Sequence, residues 1–161
     1  MMSPCLTQEV GWGRMERKNM RKKLEQTHNL KSRAHSVSSI YYHIIQCVKY
    51  RKRVLCFPEI NYQLEDRVRH ICAKWNVDLI AFGTDKNHFH ILIGLNSDVP
   101  IEKFIGNLKS STSKYLRNRY PFLKKAIPTH LWSPSYCIIA TGNVALPIVK
   151  SYVNNQGVDK K

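Results

Sequence analysis

Acidic residues are scarce in this sequence, which has 11 Asp and Glu residues against 26 Lys and Arg. The formal net charge at neutral pH is therefore +15. A field of this sign attracts polyanions and opposes association between copies of the free protein. We expect nucleic acid as the partner, and an acidic membrane surface would also suit the charge.

The sequence also lacks any long uncharged apolar run and any recognisable signal peptide at its start. A helix that spans a bilayer needs about 20 consecutive apolar residues. We therefore expect no membrane span and a soluble protein in the cytoplasm, associated with the nucleoid.

No CxxC pair occurs among the five cysteines, which are Cys5, Cys47, Cys56, Cys72 and Cys137. Their odd number and wide spacing argue against both a disulfide framework and a zinc ribbon. We predict reduced thiols, with Cys47, Cys72 and Cys137 as small buried hydrophobes in apolar surroundings.

The length of the chain, 161 residues, suits a single domain. Residues 1–36 combine a basic cluster with few apolar partners and no regular period, which favours a disordered tail. We predict a basic tail at 1–36, one folded domain at 37–157 and a short tail at 158–161.

Within this domain, hydrophobic periodicity predicts the order β-α-β-β-α-β-α. The predicted elements are strand 39–50, helix 64–75, strands 77–82 and 88–95, helix 101–116, strand 135–141 and a helix from about 146. This order matches an α+β, ferredoxin-like (RRM-like) fold, an antiparallel sheet with two helices on one face, here followed by a C-terminal helix. His43, Trp132 and Tyr136 are assigned packing roles.

Two histidines alternate with apolar residues in the third predicted strand. His88 and His90 point to one face, while Phe89 and Ile91 point to the other. Two neutral imidazoles form a partial site for a divalent metal, which needs at least one further ligand and leaves positions open for substrate oxygens. The plainer alternative, commoner for an isolated pair, is two hydrogen-bonded histidines on a half-exposed strand.

The last predicted helix carries two further candidates, Tyr152 and Gln156, which share one helix face because they are four residues apart. A phenol is mostly protonated at neutral pH, its usual pKa being about 10, so it attacks a phosphate well only where a cation or base favours the anion. A nearby metal would provide that. Amphipathic packing is the alternative role for Tyr152.

Four segments together resemble a known family: VKYRKRVL at 48–55, HFHILIG at 88–94, LWSPSYC at 131–137 and YVNNQ at 152–156. They resemble the single-tyrosine transposases of the HUH nuclease class, in the insertion sequence 200/605 family, over roughly 39–156. Residues 37–157 are then a single HUH transposase domain.

This resemblance implies a homodimer, and Mg²⁺ or Mn²⁺ held by His88, His90 and Gln156, with Tyr152 as the nucleophile. It implies single-stranded, hairpin-forming DNA as the substrate and a 5′-phosphotyrosine intermediate that leaves a free 3′-hydroxyl. The hydroxyl of a second strand would then rejoin the DNA. In the family, the histidines and the tyrosine of one active site come from two chains.

The basic residues that we predict to neutralise DNA phosphates are Lys49, Arg51, Lys52, Arg53, Lys109, Lys114 and Arg117.

Two alternatives to an active transposase stay open. Relatives often carry an acidic residue before the first histidine, whereas Asn87 stands here, as is common in a branch associated with repetitive palindromes. The protein would then be a domesticated HUH nuclease acting on palindromic repeats. A non-catalytic ferredoxin-like module that binds nucleic acid is the other alternative.

Overall fold

The computed structural model describes residues 31–32, 37–38, 40–142 and 146–155 of the chain. The chain divides into two units, 1–38 and 39–161. In the first unit, β1 (Lys31–Ser32) pairs with β2 (Val37–Ser38) as an antiparallel hairpin. The two predicted tails lie otherwise outside the described residues, so their boundaries stay predictions.

The second unit contains the predicted series of strands and helices. Its elements are β3 (Ile40–Cys47), α1 (Pro58–Lys74), β4 (Asp78–Asp85), β5 (His88–Leu95), α2 (Ile101–Arg119), α3 (Phe122–Ala126), β6 (Cys137–Thr141) and α4 (Leu146–Asn154). The helix α3 is the element that the sequence did not predict. Pro121 follows the end of α2 as predicted, but it is also the N-cap of α3, where its φ of −58° and ψ of −25° already lie in the helical region.

The sheet of this unit is antiparallel throughout, with the strand order β4-β5-β3-β6. This order places the first and third strands of the α+β unit at the centre, as in ferredoxin-like folds. The predicted fold class is therefore confirmed.

The main core lies between one sheet face and the helices α1 and α2. Phe89, Ile91 and Ile93 of β5 point into it and are fully buried, and Trp132 packs its ring against Phe89 at 5.0 Å between centroids. The alternation of β5 predicted this apolar face.

A smaller core lies on the opposite face of the sheet. There Val153 of α4 is fully buried against Tyr41, Ala81 and Leu92, with Val149 packed beside them. The terminal helix therefore covers the face of the sheet that carries His88 and His90.

The cysteines differ in their surroundings. Cys72 of α1 is buried as predicted, and burial raises the pKa of its thiol to about 12. The prediction is wrong for Cys137, which is exposed because it begins β6, an edge strand whose first four residues face solvent. Among the described residues, no helix is long and apolar enough to cross a membrane.

Candidate active site

The strand register brings three histidines onto one sheet face. β3 pairs with β5 so that Ile45 lies opposite His90 and Cys47 opposite His88. Directly opposed residues point to the same face, and so do alternate residues of one strand. His43 therefore joins the pair, and the rings of His88 and His90 lie 4.7 Å apart between centroids.

His43 contacts His90 directly. Its Nε2 lies 3.0 Å from Nδ1 of His90, and the two rings stack with centroids 5.2 Å apart. Both residues are buried. The sequence predicts a packing role for His43, because its run is dominated by apolar residues. The missed signal was its position, since only the pairing of β3 with β5 brings it beside the HxH segment.

A neighbouring side chain also orients His88. Its Nδ1 lies 2.8 Å from the amide oxygen Oδ1 of Asn87. An amide oxygen only accepts hydrogen bonds, so Nδ1 is the nitrogen that donates the proton. The other nitrogen, Nε2, then keeps its lone pair, as in a histidine prepared to bind a metal.

His90 has a buried nitrogen, Nε2, without a hydrogen-bond partner among the described residues. An unpaired buried polar atom is destabilising unless something else satisfies it. If Nδ1 of His90 donates to His43, Nε2 presents a lone pair to the same space as the His88 ring. A cation there would satisfy it.

The charge state of both histidines suits a metal. Burial lowers the pKa of His90 to about 4, and the neighbouring rings of His88 and His43 add to this effect. Burial likewise lowers the pKa of His88. Metal ligands must be neutral imidazoles, so both rings are available as ligands at neutral pH. These residues fit a divalent cation.

A divalent ion would need further ligands beside His88 and His90. The part of the chain that the structure describes contains no group of three or more His, Cys, Asp or Glu side chains that could hold a metal ion. The predicted third ligand, Gln156, belongs to another residue type and lies outside the described residues.

Tyr152 lies beside the histidines of its own chain. Its ring is edge-on to His90 at 5.8 Å and to His43 at 6.1 Å between centroids. The side chain is 52% exposed, because α4 points Val153 toward the sheet and leaves Tyr152 at the edge of the helix–sheet interface. The phenol therefore meets both the imidazoles and solvent. This contact forms within one chain, whereas the family resemblance implied two.

The seven predicted DNA-binding residues form two groups, Lys49, Arg51, Lys52 and Arg53 after β3, and Lys109, Lys114 and Arg117 on α2. Four of them donate hydrogen bonds to the segment 126–134. In the first group, Lys49 donates to Thr129 Oγ1 (2.6 Å) and Lys52 to the Ala126 carbonyl (2.5 Å). In the second group, Arg117 donates to the Pro128 carbonyl (2.9 Å) and Lys109 to the Ser133 carbonyl (2.8 Å). The structure therefore brings two residues of each group, Lys49 and Lys52 and Lys109 and Arg117, to residues 126–134.

Arg51, one of the predicted DNA-binding residues, affects the pKa of His88. Burial lowers the pKa of His88, the Asp85 carboxylate opposes this, and the Arg51 guanidinium adds to it. Tyr50 and Arg51 both have positive φ, 58° and 50°. Residues other than glycine adopt this conformation at an energetic cost, and such positions cluster at functional sites.

Comparisons with known proteins identify the family of this chain. The family model described as "Transposase IS200 like" matches residues 36–156. The chain is 31% identical over 121 residues to the ISDra2 transposase TnpA of Deinococcus radiodurans, covering 74% of this chain and 86% of that protein. It is 26% identical over 127 residues to the transposase for insertion sequence element IS200 of Salmonella typhimurium, covering 78% and 82%.

Solved structures share the fold. A crystal structure assigned to a transposase of Deinococcus radiodurans superposes with a TM-score of 0.66 and 28% identity, covering 78% of this chain and 97% of that chain. A REP-associated tyrosine transposase bound to a REP hairpin gives a TM-score of 0.52 at 14% identity, covering 76% and 68%, which is a likeness of fold alone. The matched region includes the histidine face, α2 and α4, and this chain belongs to the IS200-like transposase family.

Proposed function

We propose that this protein cleaves and rejoins single-stranded DNA, with Tyr152 as the nucleophile and Mg²⁺ or Mn²⁺ held by His88, His90 and Gln156. One observation carries the proposal. The Tyr152 ring contacts His90, whose buried Nε2 has no hydrogen-bond partner among the described residues. A nucleophile and a pair of oriented, neutral imidazoles with a free lone pair thus lie together.

Two residues prepare the imidazoles for this role. His43 hydrogen-bonds Nδ1 of His90, and Asn87 accepts the Nδ1 proton of His88. Partners of this kind fix the tautomer and the ring orientation of a metal ligand. A bound divalent ion would polarise the scissile phosphate and stabilise the charge that develops on it.

In the proposed step, Oη of Tyr152 attacks the phosphorus atom. The new Oη–P bond replaces the P–O3′ bond, the phenolic proton passes to solvent at the exposed edge of the ring, and the departing 3′-oxygen takes up a proton. The products are a 5′-phosphotyrosine and a free 3′-hydroxyl. Since the phosphoester is conserved, a 3′-hydroxyl can reverse the attack and join the strands without ATP.

The basic residues near the histidines support a DNA substrate. Arg51 follows the strand that carries His43, and its positive charge adds to the lowering of the pKa of His88. A guanidinium binds a phosphate through charge-assisted hydrogen bonds. A solved structure of the same fold is bound to a REP hairpin. Hairpin-forming single-stranded DNA is therefore the substrate that we propose, which would keep the protein at the nucleoid.

A homodimer is part of the proposal, and the edge strand β6 supports it. β6 pairs with β3 on one side, and Ile138 and Ile139 are 38% and 49% exposed. An exposed apolar edge readily adds a strand from another chain. A second copy with the same edge would pair with it about a two-fold axis.

The function is tested with labelled hairpin oligonucleotides, with and without Mg²⁺ or Mn²⁺, by scoring a protein–DNA adduct that survives denaturation. The wild type should form the adduct on single-stranded DNA when metal is present. Tyr152→Phe and His88→Ala should not, whereas Tyr62→Phe, which alters an exposed tyrosine of α1, should behave like the wild type.

Two results would contradict the proposal. An adduct that persists in Tyr152→Phe would assign the chemistry to another residue. Tight binding of DNA without any adduct, at every metal tested, would favour a non-catalytic binding module.

A further inference from the structure

The turn that follows β3 exposes an aromatic ring to solvent. Tyr50 is 71% exposed, the largest fraction among the described tyrosines. Tyr136, for which the sequence predicts a packing role, is 39% exposed, so that prediction is wrong. A ring that stays in solvent contributes little to the stability of the domain, because it removes little apolar area from water.

The backbone of this turn has an uncommon conformation. Tyr50 has a φ of 58° and a ψ of 18°, and Arg51 has a φ of 50°. Glycine and asparagine adopt this left-handed region more readily than a bulky residue does. A tyrosine at this position therefore costs stability, and such positions cluster at functional sites.

Hydrogen bonds fix the turn from two sides. The backbone N–H of Val48 donates to the carbonyl of Asn87 (2.8 Å), and that of Lys49 donates to the carbonyl of Leu131 (2.8 Å). Asn87 is also the residue whose side chain orients His88. A side chain on a turn fixed in this way loses little conformational entropy when a ligand binds.

Cationic side chains accompany the exposed ring. Nζ of Lys49 lies 5.1 Å from the centre of the Tyr50 ring, a cation–π distance. The same Nζ donates a hydrogen bond to Oγ1 of Thr129 (2.6 Å), which holds the cation in place. Arg51, the next residue along the chain, is exposed. An accessible aromatic ring beside cations suits a stacked base with adjoining phosphates.

The turn lies at the end of the sheet where β5 begins with His88. Cys47, the last residue of β3, pairs with His88, and Tyr50 follows three residues later. Three residues span at most roughly 10 Å. A single strand with one phosphate at His88 would therefore have its neighbouring nucleotides within reach of the Tyr50 ring.

We propose that Tyr50 stacks on an unpaired base next to the scissile phosphate, and that binding of the cleavage site depends on a base at that position. The inference rests on the proposed function in taking the same strand as substrate. Stacking uses the flat face of the base and not its hydrogen-bonding edge, so any of the four bases satisfies the contact. The strained turn then presents the ring beside the point of attack.

The test measures binding in a Tyr152→Phe parent, so that cleavage does not disturb the equilibrium. A series of oligonucleotides carries one abasic site at each unpaired position in turn. The parent should lose about tenfold in affinity at one position, within about two nucleotides of the cleavage site mapped with the wild type. Tyr50→Asn should bind intact DNA about tenfold more weakly and lose nothing further at that position. Tyr50→Phe, which keeps the ring, should behave like the parent.

Three measurements control this test. Asparagine tolerates the backbone conformation of the turn, so Tyr50→Asn should melt at the same temperature as the parent or higher. Tyr62→Asn, which removes a ring that is 70% exposed, is the matched control and should bind every oligonucleotide like the parent. Arg51→Asn should weaken binding to intact and abasic DNA alike, because a phosphate contact carries no information on the base.

Adduct formation and dependence on the base are measured separately. If the wild type forms its adduct but Tyr50→Asn loses as much affinity as the parent at every abasic position, the stacking proposal is overturned and the function stands. If no adduct forms but the loss at one abasic position requires the Tyr50 ring, stacking is supported and the function is not. A lower melting temperature of Tyr50→Asn, with equally weakened binding to every oligonucleotide, would show that the ring only supports the fold, which also overturns the inference.

Discussion

At the scale of single residues, each histidine of the HxH segment depends on a partner that the spacing of the segment does not reveal. His88 is oriented by the adjacent Asn87, and His90 by His43, which is 47 positions away in the sequence. The sequence predicted that His88 and His90 share one face, because side chains alternate along a strand. The contact with His43 was not readable, because it depends on which strands pair and in what register.

Replacing His43 tests this orienting role. His43→Ala leaves Nδ1 of His90 without its partner, and we expect the affinity for Mn²⁺ to fall about 10–100-fold, as for other lost partners of metal-binding histidines. Titration calorimetry on the DNA-free protein measures it. His43→Gln, which keeps a donor and an acceptor, should recover part of the loss, and His70→Ala, on the exposed side of α1, is the control. Unchanged affinity in His43→Ala would show that His43 only fills space.

The low pKa of His90 has a consequence for the stability of the metal-free protein. In the unfolded chain this histidine binds a proton below its usual pKa of 6.5, whereas in the folded state it does so only below about 4. Stability from the neutral ring is therefore fully present above pH 6.5 and is lost as the pH falls toward 4. Between pH 7 and pH 5, we expect the free energy of unfolding to fall by roughly 2 kcal/mol on this account.

Urea unfolding at the two pH values measures this change. The proper comparison is with His90→Asn, which lacks the titrating ring and should lose less stability between pH 7 and pH 5. An equal loss in both proteins would mean that His90 titrates normally in the folded state.

At the scale of elements, the terminal helix carries Tyr152, the proposed nucleophile, but has a small contact with the sheet. Among the described side chains of α4, Val153 is fully buried, with Val149 beside it, while Ile148 is 74% exposed. Docking of α4 thus depends on a short apolar stripe. The position of Tyr152 relative to His90 follows from that stripe.

Shortening Val153 should release α4 before the domain unfolds. Val153→Ala removes apolar contact worth about 1.5 kcal/mol, so the backbone amides of α4 should exchange their hydrogens about tenfold faster. Adduct formation should slow in parallel, because the phenol spends less time beside the imidazoles. Ile148→Ala is the matched control. Exchange rates in α4 that do not change would show that other contacts hold the helix.

Most helices and strands were predictable because apolar residues recur along each of them with the period of that kind of element. The predicted order of the four main strands and three main helices agrees with the structure, since it follows from apolar spacing along short stretches. The helix α3 was missed because Pro121 was interpreted only as a stop. The exposure of Cys137 was missed because strand order decides which strand lies at an edge, and apolar spacing does not encode strand order.

At the scale of the whole molecule, the sheet separates two surfaces. His43, His88, His90 and Tyr152 lie on one side of it, and a groove between α2 and the loop before β6, lined by Lys109, Trp132 and Tyr136 among others, lies on the other. The candidate residues His88, His90 and Tyr152 could be identified from their spacing and from the family resemblance, and the structure brings them together. The groove could not be identified in this way, because α2 and the loop before β6 come together only in the folded chain, through Lys109 and Gln46.

The proposed function requires that Tyr152 itself forms the covalent bond to DNA. The most direct measurement is mass spectrometry of the protease-digested adduct formed on a hairpin oligonucleotide with Mg²⁺ or Mn²⁺ present. We expect a 5′-linked nucleotide on the phenolic oxygen of Tyr152. A nucleotide mapped to any other side chain would contradict it.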